Sequence, residues 1–499
     1  MNASISRRES DSRIWLAGGL RCAVSLCTMA GLLAVTGCSL VPNHQTPPLP
    51  VAAVFPVDTV HQPAVSDGTL AAAIVWREYF TDPYLQAVIE KALENSRDLR
   101  TAVLRVEEAR AAYGIQRANQ FPGISANAYD SRGRTPADLS TTGQVQTASR
   151  YQVGLGLNTW ELDFWGRVRN LKDAALENYL ATDEARRAAT LSLITQVANV
   201  YLTLRELDER SVLARQTIAS REESYRIFNR RYEVGAIARM DLVQVEVLLH
   251  QAQTLAAQLE QERAAQAHAL TLLVGTSPPL LPARFDDRAV AHDLYVGLPS
   301  EVLLQRPDIV AAEHQLRASH ANIGAARAAF FPRITLTGSY GTASAELSGL
   351  FNSGSRTWSF LPSVSLPIFD AGLNRASLDL AKVRSEIAVV NYEKAVQTAF
   401  REVSDALSAR QWLTKQVQIQ QATLAAQSER EHLARLRYDN GSAPYFEVLD
   451  AQRDLLSAEQ QLVQTRRALL SNRVSLYAAL GGDSQEFIES PVAVSRPVN

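Results

Sequence analysis

The sequence contains little cysteine and no excess of charge of either sign. Its 499 residues include three cysteines, and 50 basic side chains stand against 52 acidic ones. A nucleic-acid-binding protein would usually show a basic excess, so no nucleic-acid partner is expected. Cys22 and Cys27 lie in an N-terminal segment that is expected to be removed, which leaves Cys38. A single remaining cysteine excludes an intramolecular disulfide in the mature chain.

The sequence also lacks the motifs of common enzymes. Its histidines are scattered, and it contains no HExxH helix, no Cys/His cluster and no G-x-S-x-G elbow. Gly154 and Gly156 stand inside an alternating strand pattern, which does not match a dinucleotide-binding loop. His314 and His320 are isolated, as is typical of helix-surface residues. We therefore predict that the protein is not an enzyme and holds neither a metal nor a non-covalent cofactor.

Beyond the N-terminus there is no apolar run of the roughly 18 residues that a membrane-spanning helix needs. The N-terminus itself has a basic start and a nearly apolar stretch at 22–35, and the sequence Val35-Thr36-Gly37-Cys38 follows. This order predicts a signal peptide at 1–37. The last four residues resemble the lipobox of bacterial lipoproteins, in which the cysteine is acylated and becomes the first residue. Cys38 is thus the expected lipidation site, and a plain secretory signal is the alternative.

The chain repeats itself, with four sets of matching residues in the same order in both halves. The sets are Phe121-Pro122 with Phe331-Pro332, Phe164/Gly166/Arg169 with Phe369/Gly372/Arg375, Arg231-Tyr232-x-x-Gly235 with Arg437-Tyr438-x-x-Gly441, and Val274-Gly275 with Leu480-Gly481. Four pairs in register indicate a duplication.

Long stretches without glycine or proline predict long helices. Residues 167–234 and 373–440 contain neither, and each stretch lies between two glycines. Both are rich in helix-favouring residues, and at about 1.5 Å per residue each would be a rod of roughly 100 Å. Shorter breaker-free runs at 236–274 and 445–480 follow them. Pro444 suits a first helical turn, so the second of these helices is expected at 444–480. Two more helices are expected upstream, near 84–120 and 308–331.

Between the helices, alternating patterns predict two β-hairpins, at about 122–162 and 332–368. Apolar residues from Tyr151 to Thr159 alternate with small and polar ones, and Ile334 to Tyr340 repeat the pattern. Polar, glycine-rich loops are expected at 131–149 and 341–356. Four strands cannot close a barrel in a membrane, where an open edge would leave backbone groups unpaired. The chain is therefore expected to oligomerise: a dimer would supply eight strands, and a trimer would supply twelve with room for a pore.

The expected organisation follows from these boundaries. A signal peptide at 1–37 precedes an anchored segment at 38–83. The first repeat occupies 84–290 and the second occupies 291–483. A C-terminal tail at 484–499 completes the chain.

These features resemble the TolC-like outer-membrane factor family of tripartite efflux systems, in its lipoprotein branch. The features that match are the lipobox, the duplicated halves, the Phe-Pro entry to each hairpin and the Arg-Tyr-x-x-Gly turns. The most specific piece runs from Arg437 through Gly441 to Gln452, and the resemblance covers roughly 80–483.

The resemblance implies a mixed α and β fold. Three copies would form a 12-stranded outer-membrane β-barrel with four strands per chain, and a long periplasmic α-helical barrel would continue it. Segments 39–80 and 275–300 and the C-terminal tail would form a belt around the tunnel. The protein would be a lipid-anchored component of the outer membrane that reaches into the periplasm.

The resemblance also implies partners and a passive export function. The turns at Gly235 and Gly441 would meet a periplasmic adaptor, or membrane-fusion, protein. An inner-membrane transporter, of the proton-driven resistance-nodulation-division type, would supply the energy. Drugs or other small toxic compounds are the expected cargo, so a role in antibiotic resistance follows.

The family constricts its periplasmic aperture with side chains near these turns. By position, the matching residues are Asp241, Tyr438, Phe446, Glu447 and Asp450. Asp241 and Glu447 also suit the first turn of a helix, where the dipole favours carboxylates. This chain departs from some relatives in having Ala443 where they place a locking arginine, and Arg239 is a possible substitute.

Two other interpretations remain. A duct for protein secretion or metal export would have the same channel and a different cargo. A structural periplasmic coiled-coil lipoprotein would explain the long helices, but it would need neither the strand patterns nor the paired glycine turns.

Overall fold

The computed structural model describes residues 40–55, 74–279, 294 and 303–482. The signal peptide, the lipidation site at Cys38, most of 280–302 and the tail lie outside the described residues. Two compact units are present. The first contains Glu108–Tyr179 and His314–Val389 with the N-terminal residues up to Thr46, and the second contains the remainder of the chain.

Each half of the chain follows one plan: helix, β-hairpin, long helix, shorter helix. In the first half the elements are α1 (Trp76–Tyr79), α2 (Pro83–Asn95), α3 (Arg97–Ala118), β1 (Ile124–Thr135), β2 (Gln146–Glu161), α4 (Arg167–Glu233) and α5 (Arg239–Val274). In the second half they are α6 (Pro307–Ala328), β3 (Arg333–Ser344), β4 (Arg356–Ser365), α7 (Leu373–Asp439) and α8 (Tyr445–Ala479). No helix in the described part of the chain combines the length and apolarity needed to cross a membrane.

The helix predicted near 84–120 is two helices. Asp82 caps α2 by accepting the Tyr84 amide at 2.9 Å. The helix ends at Ser96, whose ψ of 129° is not helical and whose hydroxyl accepts the Leu99 amide at 3.4 Å. A serine that bonds to the backbone three residues ahead favours a helix start over a helix interior. The break therefore follows from local capping and needs neither glycine nor proline.

Glycines with positive φ terminate the two long helices. Each helix is 67 residues long, and Gly235 and Gly441 follow them with φ of 71° and 72°. The C-terminus of each long helix has the hydrogen bonds of a Schellman motif. In the shorter ring of that motif, Gly235 N–H donates to Tyr232 O at the end of the first helix, and Gly441 N–H donates to Tyr438 O at the end of the second. The turns occupy several residues. The next helices therefore begin at Arg239 and Tyr445, slightly later than the expected 236 and 444, and Pro444 is the N-cap.

The four strands form one antiparallel sheet in the order β1–β2–β3–β4. The two hairpins join through β2 and β3, where Leu155 pairs with Tyr340. The strands run further than the sequence pattern indicated, so the hairpin loops are shorter than 131–149 and 341–356. Polar residues continue the ladder as far as the pair Thr135 and Gln146. The alternation of apolar and polar side chains therefore ends before the backbone pairing between the strands ends.

The register gives the sheet one apolar face and one small, polar face. Directly opposite residues point to the same side, and successive residues alternate. Members of the apolar face are Ile124, Val153, Leu155, Leu157, Leu336, Tyr340, Trp358, Phe360 and Val364. In the single chain Leu155 is 55% exposed and Trp358 is 72% exposed. A sheet with an uncovered apolar face needs an apolar environment or a partner.

The largest buried core lies in the second unit. Trp76, Tyr79 and Tyr477 are essentially inaccessible, and Tyr79 stacks on Tyr477 with ring centroids 4.2 Å apart. The Tyr477 hydroxyl donates to the Ile74 carbonyl at 2.7 Å. These contacts attach the short N-terminal helix α1 to the end of α8.

Candidate functional site

Aromatic and polar contacts join the two repeats beside the glycine turns. The Arg231 guanidinium on α4 donates to the Tyr438 hydroxyl on α7 at 2.7 Å. The hydroxyls of Ser224 and Tyr445 lie 2.8 Å apart. Tyr445 also packs between Phe228 and Tyr438, with ring centroids 4.5 Å and 4.8 Å away. We call these five residues the cross-repeat cluster, because α4 belongs to the first repeat and α7 and α8 belong to the second.

Buried apolar side chains support this cluster from beneath. Phe228, Leu242, Val245 and Leu449 form one small core, with Tyr445 packed against it. These residues come from α4, α5 and α8. The small core fixes the position of the Tyr445 ring and so of its hydroxyl.

A second group of contacts ties α7 to α8 by charge. Arg430 donates to Asp450 and to Asp454, each at 2.6 Å. Arg453 donates to the same two carboxylates, at 2.5 Å and 3.0 Å. We call these four residues the turn network. Two guanidinium groups facing two carboxylates neutralise one another, so the group carries no net charge.

The residues predicted from the sequence occupy different surroundings. Tyr438 belongs to the cross-repeat cluster and Asp450 to the turn network. Glu447 accepts from Arg437 at 2.7 Å. The other two, Asp241 in the first turn of α5 and Phe446 at 55% exposure, lie on the surface of the chain.

Neither of the positions considered for a locking arginine forms an ion pair with these carboxylates. Ala443 lies in the second turn, and the Arg239 guanidinium lies over the Tyr232 ring, 5.6 Å from its centroid. Instead, Glu447 pairs with Arg437, and Asp450 pairs with Arg430 and Arg453. The sequence singled out Arg437 only as part of the turn motif, and it did not indicate Arg430 or Arg453.

Antiparallel geometry offered a signal for one of them. In a helical hairpin, residues at similar distances before and after the turn face each other. Arg430 precedes Gly441 by about as many residues as Asp450 and Asp454 follow it. Arg453 is also one helical turn from Asp450, the spacing of an i,i+3 ion pair.

His314 and His320, the two histidines noted in the sequence, are not part of this site. No group of three or more potential metal ligands occurs among the described residues. His314 contacts Glu177 at 2.6 Å, and His320 lies 3.3 Å from His44. Both pairs lie in the first unit, whereas the glycine turns belong to the second.

The turn network gives a pH prediction. The pKa of Asp454 is lowered from its usual 3.8, chiefly by the hydrogen bond from Arg430 and further by Arg453. A lowered pKa stabilises the fold above the unfolded pKa, and this contribution is lost as pH falls through the folded pKa. We therefore expect Asp454→Asn to lower the thermal midpoint by a constant amount between about pH 5 and pH 8, and by progressively less below about pH 4. Circular dichroism of both proteins across pH measures this difference. A difference that changed between pH 5 and 8 would contradict the assignment.

Comparisons with known proteins match this architecture over nearly the whole chain. The family described as "Outer membrane efflux protein" matches residues 88–276 and 298–482. TtgC, a toluene efflux pump outer membrane protein of Pseudomonas putida, is 43% identical over 462 residues, covering 92% of this chain and 95% of the relative. ArpC, an antibiotic efflux pump outer membrane protein of the same species, is also 43% identical over 462 residues, with the same coverage of 92% and 95%.

A solved structure matches the fold as closely. The open state of the MtrE outer membrane channel of Neisseria gonorrhoeae superposes with a TM-score of 0.81 at 41% identity, covering 90% of this chain and 100% of that one. The predicted mixed fold, with four strands and long helices in two repeats, is confirmed.

Proposed function

This chain belongs to the outer membrane efflux protein family, and from that membership we propose how it works within an efflux pump. It is an outer-membrane efflux channel and not an enzyme. The observation that carries the proposal is the four-stranded sheet with an exposed apolar face, in a chain where a 67-residue helix follows each hairpin in the sequence. Such a chain combines a membrane-facing part with a helical part outside the membrane.

We propose that three copies assemble into the channel. In the described chain β1 and β4 are the edges of the sheet. Unpaired strand edges are prohibitively costly in lipid, so β4 of one copy must pair with β1 of the next. Three chains give twelve strands, with the apolar face toward lipid and the small, polar face toward the pore.

The cargo proposed is small and apolar or drug-like. Relatives at 43% identity are named for toluene efflux and for antibiotic efflux. A periplasmic adaptor and an inner-membrane transporter of the proton-driven resistance-nodulation-division type would supply specificity and energy. The turns at Gly235 and Gly441 are the proposed contact surface for the adaptor.

The helix turns are the proposed aperture. In each copy the cross-repeat cluster would hold α7 and α8 against α4, and the turn network would keep α7 and α8 together as one body. Opening then requires the aromatic and hydroxyl contacts between repeats to separate. Asp241 and Phe446, exposed in one chain, would face the opening or a neighbouring copy.

Cys38 provides a test of lipid anchoring. We expect Cys38→Ala to abolish acylation and processing at this residue while the strands still insert, because one acyl anchor gives only marginal membrane affinity. Intact-mass spectrometry of the mature protein measures both. A parent protein that begins, unmodified, at any other residue would refute the lipoprotein assignment.

Native mass spectrometry of the protein released from membranes tests the assembly. The expected species is a trimer, with no monomer surviving in the membrane fraction. A matched sample of Leu155→Lys, whose charge faces lipid, should yield less trimer, since such a change costs about 2–4 kcal/mol near mid-membrane. A membrane-inserted monomer of the parent would overturn the proposal.

A further inference from the structure

Three arginines lie on the apolar face of the sheet, at the end that carries the hairpin loops. Arg132 and Arg134 are in β1, and Arg356 begins β4. Arg132 pairs with Ser149, and Arg356 pairs with Thr342. Both arginines are separated from the apolar residues of their strand by an even number of positions, so their side chains point to the same side of the sheet. All three side chains are exposed. These arginines extend a face that is apolar along the rest of the strands, so they need a polar or anionic environment at this end.

Aromatic residues mark the level at which the apolar face ends. Tyr151, Tyr340 and Trp358 are its last large members before the arginines. Trp358 lies two positions beyond Arg356 on the same strand, a separation of about 7 Å. Aromatic girdles lie at the membrane–water boundary, so the arginines would stand at the depth of lipid head groups.

We propose that these arginines bind the phosphate groups of the phosphorylated glycolipid in the outer leaflet. The inference rests on the proposed function, which directs the hairpin loops away from the periplasm. Guanidinium groups bind phosphate through two parallel hydrogen bonds. When β4 of one copy pairs with β1 of the next, Arg356 lies near the edge that carries Arg132 and Arg134. Each junction between copies then forms one composite site.

The local charge balance favours an anionic ligand. Asp130 lies on the same face as the three arginines, two residues before Arg132 on β1 and nearer the apolar residues. One carboxylate beside three guanidinium groups leaves the group with a net positive charge. Asp138 and Glu346 lie beyond the strands in the loop segments. A lipid phosphate would therefore lie at the level of the strand ends, beside the arginines, and not at the level of these loop carboxylates.

Arg150 supplies a matched control in the same sheet. It pairs with Ser131, between the levels of Asp130 and Arg132, and therefore points to the polar face. Its side chain is also exposed. It has the same charge at a similar height, but it faces the proposed pore and not the lipid.

The experiment compares glycolipid binding by three trimeric proteins: the parent, the triple variant Arg132→Gln/Arg134→Gln/Arg356→Gln, and Arg150→Gln. The probe is bis-phosphorylated lipid A, titrated into detergent-solubilised trimer and followed by native mass spectrometry. Loss of three charge-assisted contacts is expected to weaken binding about tenfold or more in the triple variant, while Arg150→Gln stays within about twofold of the parent. Lipid A without its phosphates should bind the parent as weakly as intact lipid A binds the triple variant.

Two results overturn the inference: equal binding by the parent and the triple variant, or an equal loss with Arg150→Gln. Tighter binding of phosphatidylglycerol than of lipid A would also overturn the choice of glycolipid. The trimer mass and channel current of all three proteins are measured first, and we expect both variants to match the parent in these measurements. A parent protein without trimer or current overturns the proposed function itself, and the inference with it.

Discussion

Replacing Tyr438 and Tyr445 together with alanine is expected to open the channel and to raise its single-channel conductance severalfold. The double variant removes the Arg231–Tyr438 and Ser224–Tyr445 hydrogen bonds and the ring contacts around Phe228. Two hydrogen bonds of about 1 kcal/mol each and aromatic contacts of about 0.5–1.5 kcal/mol each give roughly 3 kcal/mol per chain. That shifts the ratio of closed to open states by about a hundredfold. Recording in planar lipid bilayers measures the change.

Tyr232→Ala is the matched control for this variant. Tyr232 precedes the equivalent turn at Gly235, and its ring contacts Arg239 of its own repeat. We expect its conductance to stay close to that of the parent, as should that of Asp405→Ala on α7. A double variant that conducted like the parent, or a Tyr232→Ala channel that opened equally, would remove the cross-repeat cluster from the aperture.

Replacing Gly341 with alanine is expected to prevent assembly. Gly341 on β3 pairs directly with Gly154 on β2, where the two hairpins join. A Cβ at Gly341 would stand 2.2 Å from the Val153 carbonyl oxygen and 2.5 Å from the Gly154 Cα. Both atoms are backbone, so the strands must separate, at a cost of several kcal/mol. We expect the membrane fraction to lose about nine-tenths of its trimer, because a sheet that cannot join its hairpins cannot close.

Gly133→Ala tests whether the effect comes from this contact. Gly133 lies on β1, and a Cβ added there would have no neighbouring atom of the same chain within 4 Å. Its trimer yield should match that of the parent on seminative gels. Equal yields for Gly341→Ala and the parent would show that the β2–β3 pairing is not required for assembly.

Much of the fold follows from short-range sequence signals. Glycine at φ near 70° ends both long helices, and the glycine-free stretches ahead of them are the helices themselves. Period-2 alternation located all four strands. It underestimated their length, because the polar end of each hairpin keeps its backbone pairing while its side chains no longer alternate in hydrophobicity. The sequence did not predict the break at Ser96. Serine is common within helices, and it acts as a cap only where its backbone leaves the helical conformation.

The candidate site was less accessible to sequence reasoning. Consecutive residues on a helix point about 100° apart, so one position decides whether a ring packs inward or faces out. Tyr445 packs into the cross-repeat cluster, while its neighbour Phe446 is exposed. Glu447 and Asp450, expected at the aperture, form ion pairs within the chain, Glu447 with Arg437 and Asp450 with Arg430 and Arg453. Arg430 and Arg437 lie on the helix before the turn and their carboxylate partners lie on the helix after it, so a pattern read along the sequence does not indicate the contact.

The most direct test of the central claim is efflux from cells. A strain without its own outer membrane efflux proteins is given a matching adaptor and inner-membrane transporter, with or without this chain, and release of a preloaded fluorescent dye is timed. We expect rapid release only when the parent chain is present, and slow release with Gly341→Ala. Cells that released the dye equally with and without the parent chain would show that it is not the outer-membrane duct of the pump.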